Sequence, residues 1–196
     1  MRSNDILRMI YLSTSRIPGE KANTFQVLQM VDAFAAHKVA VSLLYPRRVN
    51  TAIMRKVKDI KHYYGLSNEF PMIELPAIDL MAWPQKIFGW APRVSQGFQN
   101  RLFEILIHSY SRSVSKYLTQ HSADLYFTRS FKLLVKILGF TPRLAPRLFF
   151  EVHRVPWEAT LHPEKLKILS QIGGVITVNQ SLKDEYTRYG IRPQKI

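Results

Sequence analysis

Polar side chains suited to ligand binding or proton transfer stand directly after apolar segments of this sequence. They occur in residues 13–23, in Thr128-Arg129-Ser130, in Glu151-Val152-His153 and in Asn179-Gln180-Ser181. A histidine changes charge near neutral pH, so His153 could act as an acid, a base or a hydrogen-bond donor. If the apolar segments are strands of one parallel sheet, hydroxyls, an arginine, a carboxylate and a histidine meet at a single edge.

The first polar segment contains a glycine and leads into a helix. Gly19 has no side chain, so the backbone there could approach a ligand closely. The free amides at the start of the helix could then bind a phosphate or a sugar hydroxyl. The alternative is that Pro18-Gly19 is an ordinary turn and Asn23 an ordinary helix cap, because the phosphate-binding patterns GxGxxG and GxxxxGK[ST] are both absent.

Glu151 stands two residues before His153, on the same face of a predicted strand. We expect this carboxylate to pair with Arg129 or Arg154. Two alternatives stay open at this point. The histidine is structural, or the glutamate forms an exposed salt bridge at the sheet rim, which contributes only ~0–1 kcal/mol.

Several other kinds of site are not expected. The six histidines share no metal-ligand spacing, so no metal site is predicted. A GxSxG nucleophile motif is absent. The basic residues are spread over several predicted helices without a known nucleic-acid-binding motif, so we expect no nucleic-acid partner.

Strand and helix patterns alternate along the chain. We predict strands at residues 6–12, 39–45, 72–75, 124–129, 148–153 and 174–178. Helices are predicted from residue 23 onward, where Asn23 and Gln26 resemble a capping box, and at 52–64, 94–118, 130–138, 163–172 and 180–189. This order predicts an α/β fold with a Rossmann-like, doubly wound, mostly parallel sheet and helices on both faces.

Composition limits the size, location and partners of the protein. The 196 residues, 46% of them hydrophobic, suit one domain spanning 1–196. The chain contains no cysteine, which favours a reducing compartment and hence the cytoplasm. Neither a secretory signal nor an apolar run of ~18 residues is present, so secretion and membrane spanning are not expected. The net charge of +14 predicts an anionic partner.

One segment combines cations with aromatic side chains. Between residues 80 and 122 the only acid is Glu104. This mixture is typical of a membrane interface, so we predict a peripheral contact with an anionic membrane surface. The predicted contact residues are Trp83, Lys86, Phe88, Trp90 and Arg93.

Four segments together resemble a known family. They are "YLSTSRIPGEKANTFQVLQMVDAFAAH", "DLYFTRS", "LFFEVHRVP" and "GGVITVNQSLKDEYTRYGIRPQKI". They are similar to the N-terminal domain of glycosyltransferase family 4, the retaining GT-B enzymes that include many bacterial lipopolysaccharide, exopolysaccharide and glycolipid transferases. The resemblance spans most of the chain except about residues 47–124.

The resemblance implies half of an enzyme. In such proteins the N-terminal domain binds the sugar or lipid-linked glycan acceptor, and a C-terminal domain, expected to be missing from this chain, holds the nucleotide-sugar co-substrate; no other cofactor is implied. His153 carries over as the catalytic cleft histidine. The implied substrate-binding residues are Arg16, Gly19, Glu20, Lys21, Asn23, Thr24, Arg129, Ser130 and Glu151.

Two positions depart from the family pattern. Arg154 replaces an acid that often follows the histidine, and Lys38 replaces a glycine before the second strand. The implied function is an acceptor-binding domain that is inactive alone and works in the cytoplasm, at the inner membrane face. The alternative from another class is a stand-alone basic module that binds anionic lipid or polysaccharide without catalysis.

Overall fold

The computed structural model describes residues 6–81, 95–153 and 163–196. Within these ranges the chain forms a six-stranded parallel sheet in the order β3-β2-β1-β4-β5-β6. The strands are β1 (Arg8–Leu12), β2 (Ala40–Pro46), β3 (Met72–Leu75), β4 (Leu125–Thr128), β5 (Leu148–Val152) and β6 (Gly174–Thr177). Each is a mostly apolar run, as expected for strands covered on both faces.

The helices lie between these strands in sequence. They are α1 (Ala22–Ala36), α2 (Ile60–Tyr64), α3 (Gln96–Gln120), α4 (Phe131–Phe140), α5 (Pro163–Gln171) and α6 (Gln180–Arg188). Short 3₁₀ turns cover Met54–Lys56, Pro142–Arg147 and Pro193–Lys195. The predicted α/β fold with a doubly wound parallel sheet is therefore confirmed.

Two apolar cores lie on opposite faces of the sheet. Alternate residues of β1 point to different cores, because successive strand side chains face opposite sides. Leu12 packs in the core that contains residues of α3 and α4, whereas Tyr11 packs in the core that contains residues of α1 and α2. Both side chains are fully buried. Because β1 ends at Leu12 between these two cores, the polar segment that follows begins at the carboxyl edge of the sheet.

The predicted basic helix at 52–64 is wrong. The structure has only the 3₁₀ turn Met54–Lys56 and the five-residue helix α2 there. The carboxylate of Asp59 accepts a hydrogen bond from the His62 backbone N–H at 2.9 Å, so it begins a new helix inside the predicted one. Gly65, at a left-handed φ of 63°, ends that helix.

Lys38 adopts the left-handed conformation that the replaced family glycine would favour. Its φ is 61°, directly after the last turn of α1. A lysine pays a backbone cost there, ~1–2 kcal/mol relative to the right-handed conformation. Lys38 thus ends α1 in the same way as a glycine would.

None of the helices in the described ranges is both long and apolar enough to cross a bilayer. The five predicted membrane-contact residues, Trp83, Lys86, Phe88, Trp90 and Arg93, lie outside the described residues. Their contact with a membrane stays a prediction.

Candidate functional site

The predicted polar segments meet at the carboxyl edge of the sheet. β1 and β4 are adjacent, with Leu12 opposite Thr128, and β5 lies next to β4. The Thr128 hydroxyl donates to the Leu12 carbonyl at 2.9 Å, which joins the ends of two strands. The loops after β1, β4 and β5 therefore begin side by side, as the sequence predicted.

The loop after β1 is held at Gly19. The Gly19 N–H donates to the Tyr64 hydroxyl at 2.7 Å, and that hydroxyl donates to the Gly19 carbonyl, also at 2.7 Å. A Cβ at this position would lie 2.5 Å from the Arg16 carbonyl oxygen. Gly19 is thus required by a close approach within the loop itself. Whether it also approaches a ligand stays a prediction.

Asn23 is not the helix cap that the sequence predicted. The N-cap residue of α1 is Lys21, whose side chain makes no capping hydrogen bond. The Asn23 amide lies in the first turn and donates to the Ser15 hydroxyl at 2.7 Å. Thr24, also in that turn, donates to the Arg16 carbonyl at 3.2 Å. The polar side chains of the first turn therefore fasten the loop to the helix.

A cleft of about 220 Å³ opens between this loop, the segment after β2 and α3. We call it the cationic cleft. Its lining residues are Thr14, Ser15, Arg16, Gly19, Lys21, Asn23, Thr24, Arg48 and Phe103. Five of the predicted substrate-binding residues are among them. Four lining residues were not among the predicted site residues. Thr14 and Ser15 lie in the polar segment 13–23, and Arg48 stands three residues after the predicted strand 39–45, a signal that could have identified it, whereas Phe103 carries none.

Two acids hold the arginines of the cationic cleft. Glu20 pairs with Arg16 at 2.7 Å, and Asp79 pairs with Arg48 at 3.3 Å. Glu20 does not line the cleft. A hydrogen bond from the Thr51 hydroxyl, with smaller contributions from a backbone hydrogen bond and Arg16, lowers the pKa of Glu20. The carboxylate is therefore charged at neutral pH.

A second group of predicted residues, two of them largely buried, lies beside α1. We call it the histidine cluster, and it consists of Arg129, Glu151 and His153. The Glu151 side chain is only 4% exposed, and its Oε1 atom contacts both His153 Nε2 and, at 3.7 Å, Arg129 Nε. The alternative of an exposed rim salt bridge is therefore wrong for this pair. Arg154, the other predicted partner, lies outside the described residues.

Arg129 connects the histidine cluster to α1 and to β1. The Arg129 guanidinium donates to the Gln26 amide oxygen at 3.2 Å. Burial raises the pKa of Tyr11, while neighbouring Arg129 opposes that shift. The His153 side chain, in contrast, is 40% exposed. Only the imidazole of this cluster is thus widely open to a ligand.

Ser130 has a structural role that its position in the sequence did not reveal. Its hydroxyl accepts from the Leu133 N–H at 3.4 Å and so caps α4. Asn179 caps α6 in the same way, at 2.9 Å from the Leu182 N–H. A role of Ser130 in binding substrate stays a prediction.

The cationic cleft and the histidine cluster flank the first turns of α1. Asn23 lines the cleft, and Gln26, three residues later, contacts Arg129. Throughout the described part of the chain, no group of three metal-ligating side chains is placed to hold an ion. The arrangement offers cations, hydroxyls and an exposed imidazole to an anionic, hydroxylated ligand.

No protein-family model and no curated protein matches the sequence at a significant level. Solved structures do match. Sucrose-phosphate synthase from Thermosynechococcus elongatus aligns with a TM-score of 0.57 and 15% identity over 94% of this chain and 45% of its own. LpCGTa in complex with UDP gives 0.56 and 12%, over 94% and 48%. Anabaena HepE in complex with UDP and glucose gives 0.50 and 15%, over 96% and 42%.

These similarities show the fold. The chain has the Rossmann-like architecture of one half of a GT-B glycosyltransferase. It spans a little under half the length of each of these three structures.

Proposed function

We propose that this chain is the acceptor-binding domain of a retaining, nucleotide-sugar-dependent glycosyltransferase of family 4, and that it is inactive alone. The observation that carries the proposal is a half GT-B fold whose carboxyl edge carries both the cationic cleft, at the first turn of α1, and the histidine cluster, which contacts Gln26 of the same helix. Ligands of open parallel sheets gather at this edge. The reaction would transfer a sugar to a glycan or lipid-linked acceptor, in polysaccharide biosynthesis.

Each group has a distinct role in the proposal. The acceptor occupies the cationic cleft, and the nucleotide-sugar is held by a donor domain outside this chain. LpCGTa and HepE were determined with UDP, which agrees with a nucleotide-sugar donor. The amides at the start of α1 stabilise negative charge on the departing diphosphate, because oriented dipoles act most strongly where charge develops. His153 contacts the reacting sugar through its exposed imidazole.

Two measurements test the half-enzyme proposal. The reading frame past the Ile196 codon should encode a second Rossmann domain. The 196-residue chain should show no sugar transfer from a nucleotide-sugar, whereas the product of the extended frame should turn over. Transfer by the chain alone at ~1 s⁻¹, an ordinary enzyme rate, would exclude the proposal.

His153→Ala in the extended protein should lower kcat by about 10²–10⁴-fold if the imidazole transfers a proton or stabilises charge at the reacting sugar. His37→Ala is the matched control, since His37 is exposed at the opposite end of α1. Equal activity of the two variants would remove His153 from the mechanism.

The proposed location is the cytoplasmic face of the membrane. The net charge of +14 supports attraction to acidic lipid. Flotation with liposomes should require acidic lipid and decline at high salt. Replacing Trp83 and Trp90 with serine should weaken flotation, and unchanged flotation would contradict the interfacial role of that segment. A stand-alone binding module would float equally well but would lack an encoded donor domain.

A further inference from the structure

The cationic cleft is lined by three cations and no acid. Arg16, Lys21 and Arg48 come from two different loops, and the remaining lining residues are hydroxyl, amide, glycine or aromatic. Cations that converge from separate segments attract an anion into the space between them, although Glu20 and Asp79 offset part of the charge of Arg16 and Arg48. The lining therefore indicates an anionic ligand.

The cations differ in how far they are already neutralised. Glu20 and Asp79 fix the guanidinium groups of Arg16 and Arg48, and the Asp79 side chain is only 5% exposed. Each guanidinium has five N–H donors, so donors remain after these pairs are made. The Arg16 Nε is buried and has no hydrogen-bond partner in the described ranges. Lys21 has no ion-pair partner among the residues that the structure describes.

The start of α1 adds further donors to the same space. Lys21 provides no side-chain cap, and the first turn contains no acidic residue. The backbone N–H groups of that turn therefore keep their positive character, which favours a bound anion. Ser15, Asn23 and Thr24 place short polar side chains around them. Cations, amides and hydroxyls together are the chemistry that binds a phosphate group.

The size of the cleft suits a small phosphate compound. Its volume of about 220 Å³ is smaller than the ~300–1,000 Å³ of pockets that enclose drug-sized ligands. A phosphate group with one adjoining sugar ring is a ligand of this order of size. Phe103 gives the cleft an apolar wall on the α3 side.

We propose that the cationic cleft binds the phosphate group of a phosphorylated acceptor. This inference rests on the proposed function, because it names the acceptor class of that same site. The phosphate anchors the acceptor against Lys21 and Arg48 inside the cleft, beside the amides of α1 that the proposed function assigns to the departing diphosphate. The acceptor hydroxyl then extends past α1 toward the side where His153 is exposed.

The test measures binding to the 196-residue chain by NMR, with glucose 6-phosphate, glucose and UDP as probes at equal concentrations. Glucose 6-phosphate should shift the backbone amide signals of Gly19 and Thr24, and this effect should weaken as salt increases. Glucose should leave them unchanged. Equal shifts with glucose, or shifts with UDP but not with glucose 6-phosphate, would overturn the proposal.

Lys21→Gln should weaken glucose 6-phosphate binding about tenfold, the usual effect of losing one charge-assisted contact. Lys58→Gln is the matched control, since Lys58 is exposed and does not line the cleft. Unchanged amide spectra without ligand confirm that both variants are folded. Equal affinity of the two variants would also overturn the proposal.

A further experiment distinguishes binding of a soluble phosphate compound from binding of a lipid-linked one. Nanodiscs with polyprenyl monophosphate are compared with phosphatidylcholine discs alone, and glucose 6-phosphate serves as the soluble competitor. Shifts from either phosphate compound support the proposal, and the stronger one identifies the source. Shifts from neither would contradict it.

The outcome is separable from that of the proposed function, because binding requires no turnover. If the extended protein transfers sugar to a neutral acceptor and the chain binds neither glucose 6-phosphate nor polyprenyl monophosphate, the phosphate inference fails and the enzyme stands. If the chain binds glucose 6-phosphate but the extended protein never transfers sugar, the proposed function fails instead.

Discussion

The cationic cleft and the histidine cluster use similar residue types in opposite ways. In the cleft, Lys21 is exposed, and the arginine charges are matched by acids outside the lining. In the cluster, Arg129 and Glu151 neutralise each other in a buried position and leave only the imidazole accessible. The cleft has hydrogen-bond donors left for a ligand, whereas the charges of Arg129 and Glu151 serve to position the His153 imidazole. Substitutions should therefore separate ligand binding from stability.

The largest effect is expected for Glu151→Ala in the histidine cluster. Arg129, only 14% exposed, would lose its counter-charge in a buried position. Removing one partner of a buried pair typically costs about 3–5 kcal/mol of unfolding free energy. Urea denaturation measures this loss.

The double variant Glu151→Leu/Arg129→Met is the control for that loss. It removes both charges, so it should regain most of the stability that the single variant loses. A loss below about 1 kcal/mol for Glu151→Ala alone would show that the cluster is as weakly coupled as the cleft, and the contrast would fail.

Gly19→Ala should have the next largest effect, since it acts on the backbone of the cleft. The new methyl group would meet the Arg16 carbonyl oxygen at 2.5 Å, so the loop must move. We expect a loss of about 1–3 kcal/mol, together with broadened or shifted amide signals around Thr24. Thermal unfolding and NMR measure both.

Gly139→Ala is the matched control for that substitution. Gly139 lies in α4, and a Cβ there meets nothing within 4 Å. Alanine should be neutral or stabilising by up to ~1 kcal/mol, because it is the better helix former. Similar losses of unfolding free energy at both positions would show that replacing glycine by alanine is destabilising in general. They would contradict a special constraint on the loop at Gly19.

Lys21→Gln should leave the free energy of unfolding within about 0.5 kcal/mol of the original protein. Lys21 is exposed and makes no capping contact, and such surface changes are usually neutral. Urea denaturation provides the measurement. A loss above 1 kcal/mol would mean that the cleft cations also serve stability, which would remove the distinction from the histidine cluster.

The smallest effect is expected for Thr51→Val, which should change only the pKa of Glu20 beside the cleft. Thr51→Val removes the hydroxyl that lowers the pKa of Glu20 most, so that pKa should rise toward its ordinary value of 4.5. A lowered pKa stabilises the folded state above the ordinary value, and this contribution fades as the pH falls through the folded pKa. NMR titration of the Glu20 carboxyl measures the change. An unchanged pKa would contradict the assigned cause.

The fold was largely predictable from the sequence because buried parallel strands are apolar runs. The strand at Met72–Leu75 matches its predicted bounds, and no other strand end differs from its predicted position by more than two residues. The helix at 52–64 failed because a single carboxylate, Asp59, competes successfully for a backbone N–H group. Periodicity alone does not reveal such a competition.

Site residues were predictable where they lie at the end of a strand. Strand ends identified Arg129, Glu151 and His153, since parallel topology brings these ends together. The Asn23 cap failed because its amide finds Ser15, a partner that only the folded loop provides. Phe103 joins the cleft from α3 through tertiary packing, which leaves no trace in the local pattern.

The bond between Gly19 and Tyr64 also makes the loop a reporter of distant unfolding. The two residues are 45 positions apart, and Tyr64 belongs to the short helix α2 between β2 and β3. The Gly19 amide hydrogen should therefore exchange with solvent deuterium only when that connection opens. Its exchange rate would measure how often the wall of the cleft comes apart in the native protein.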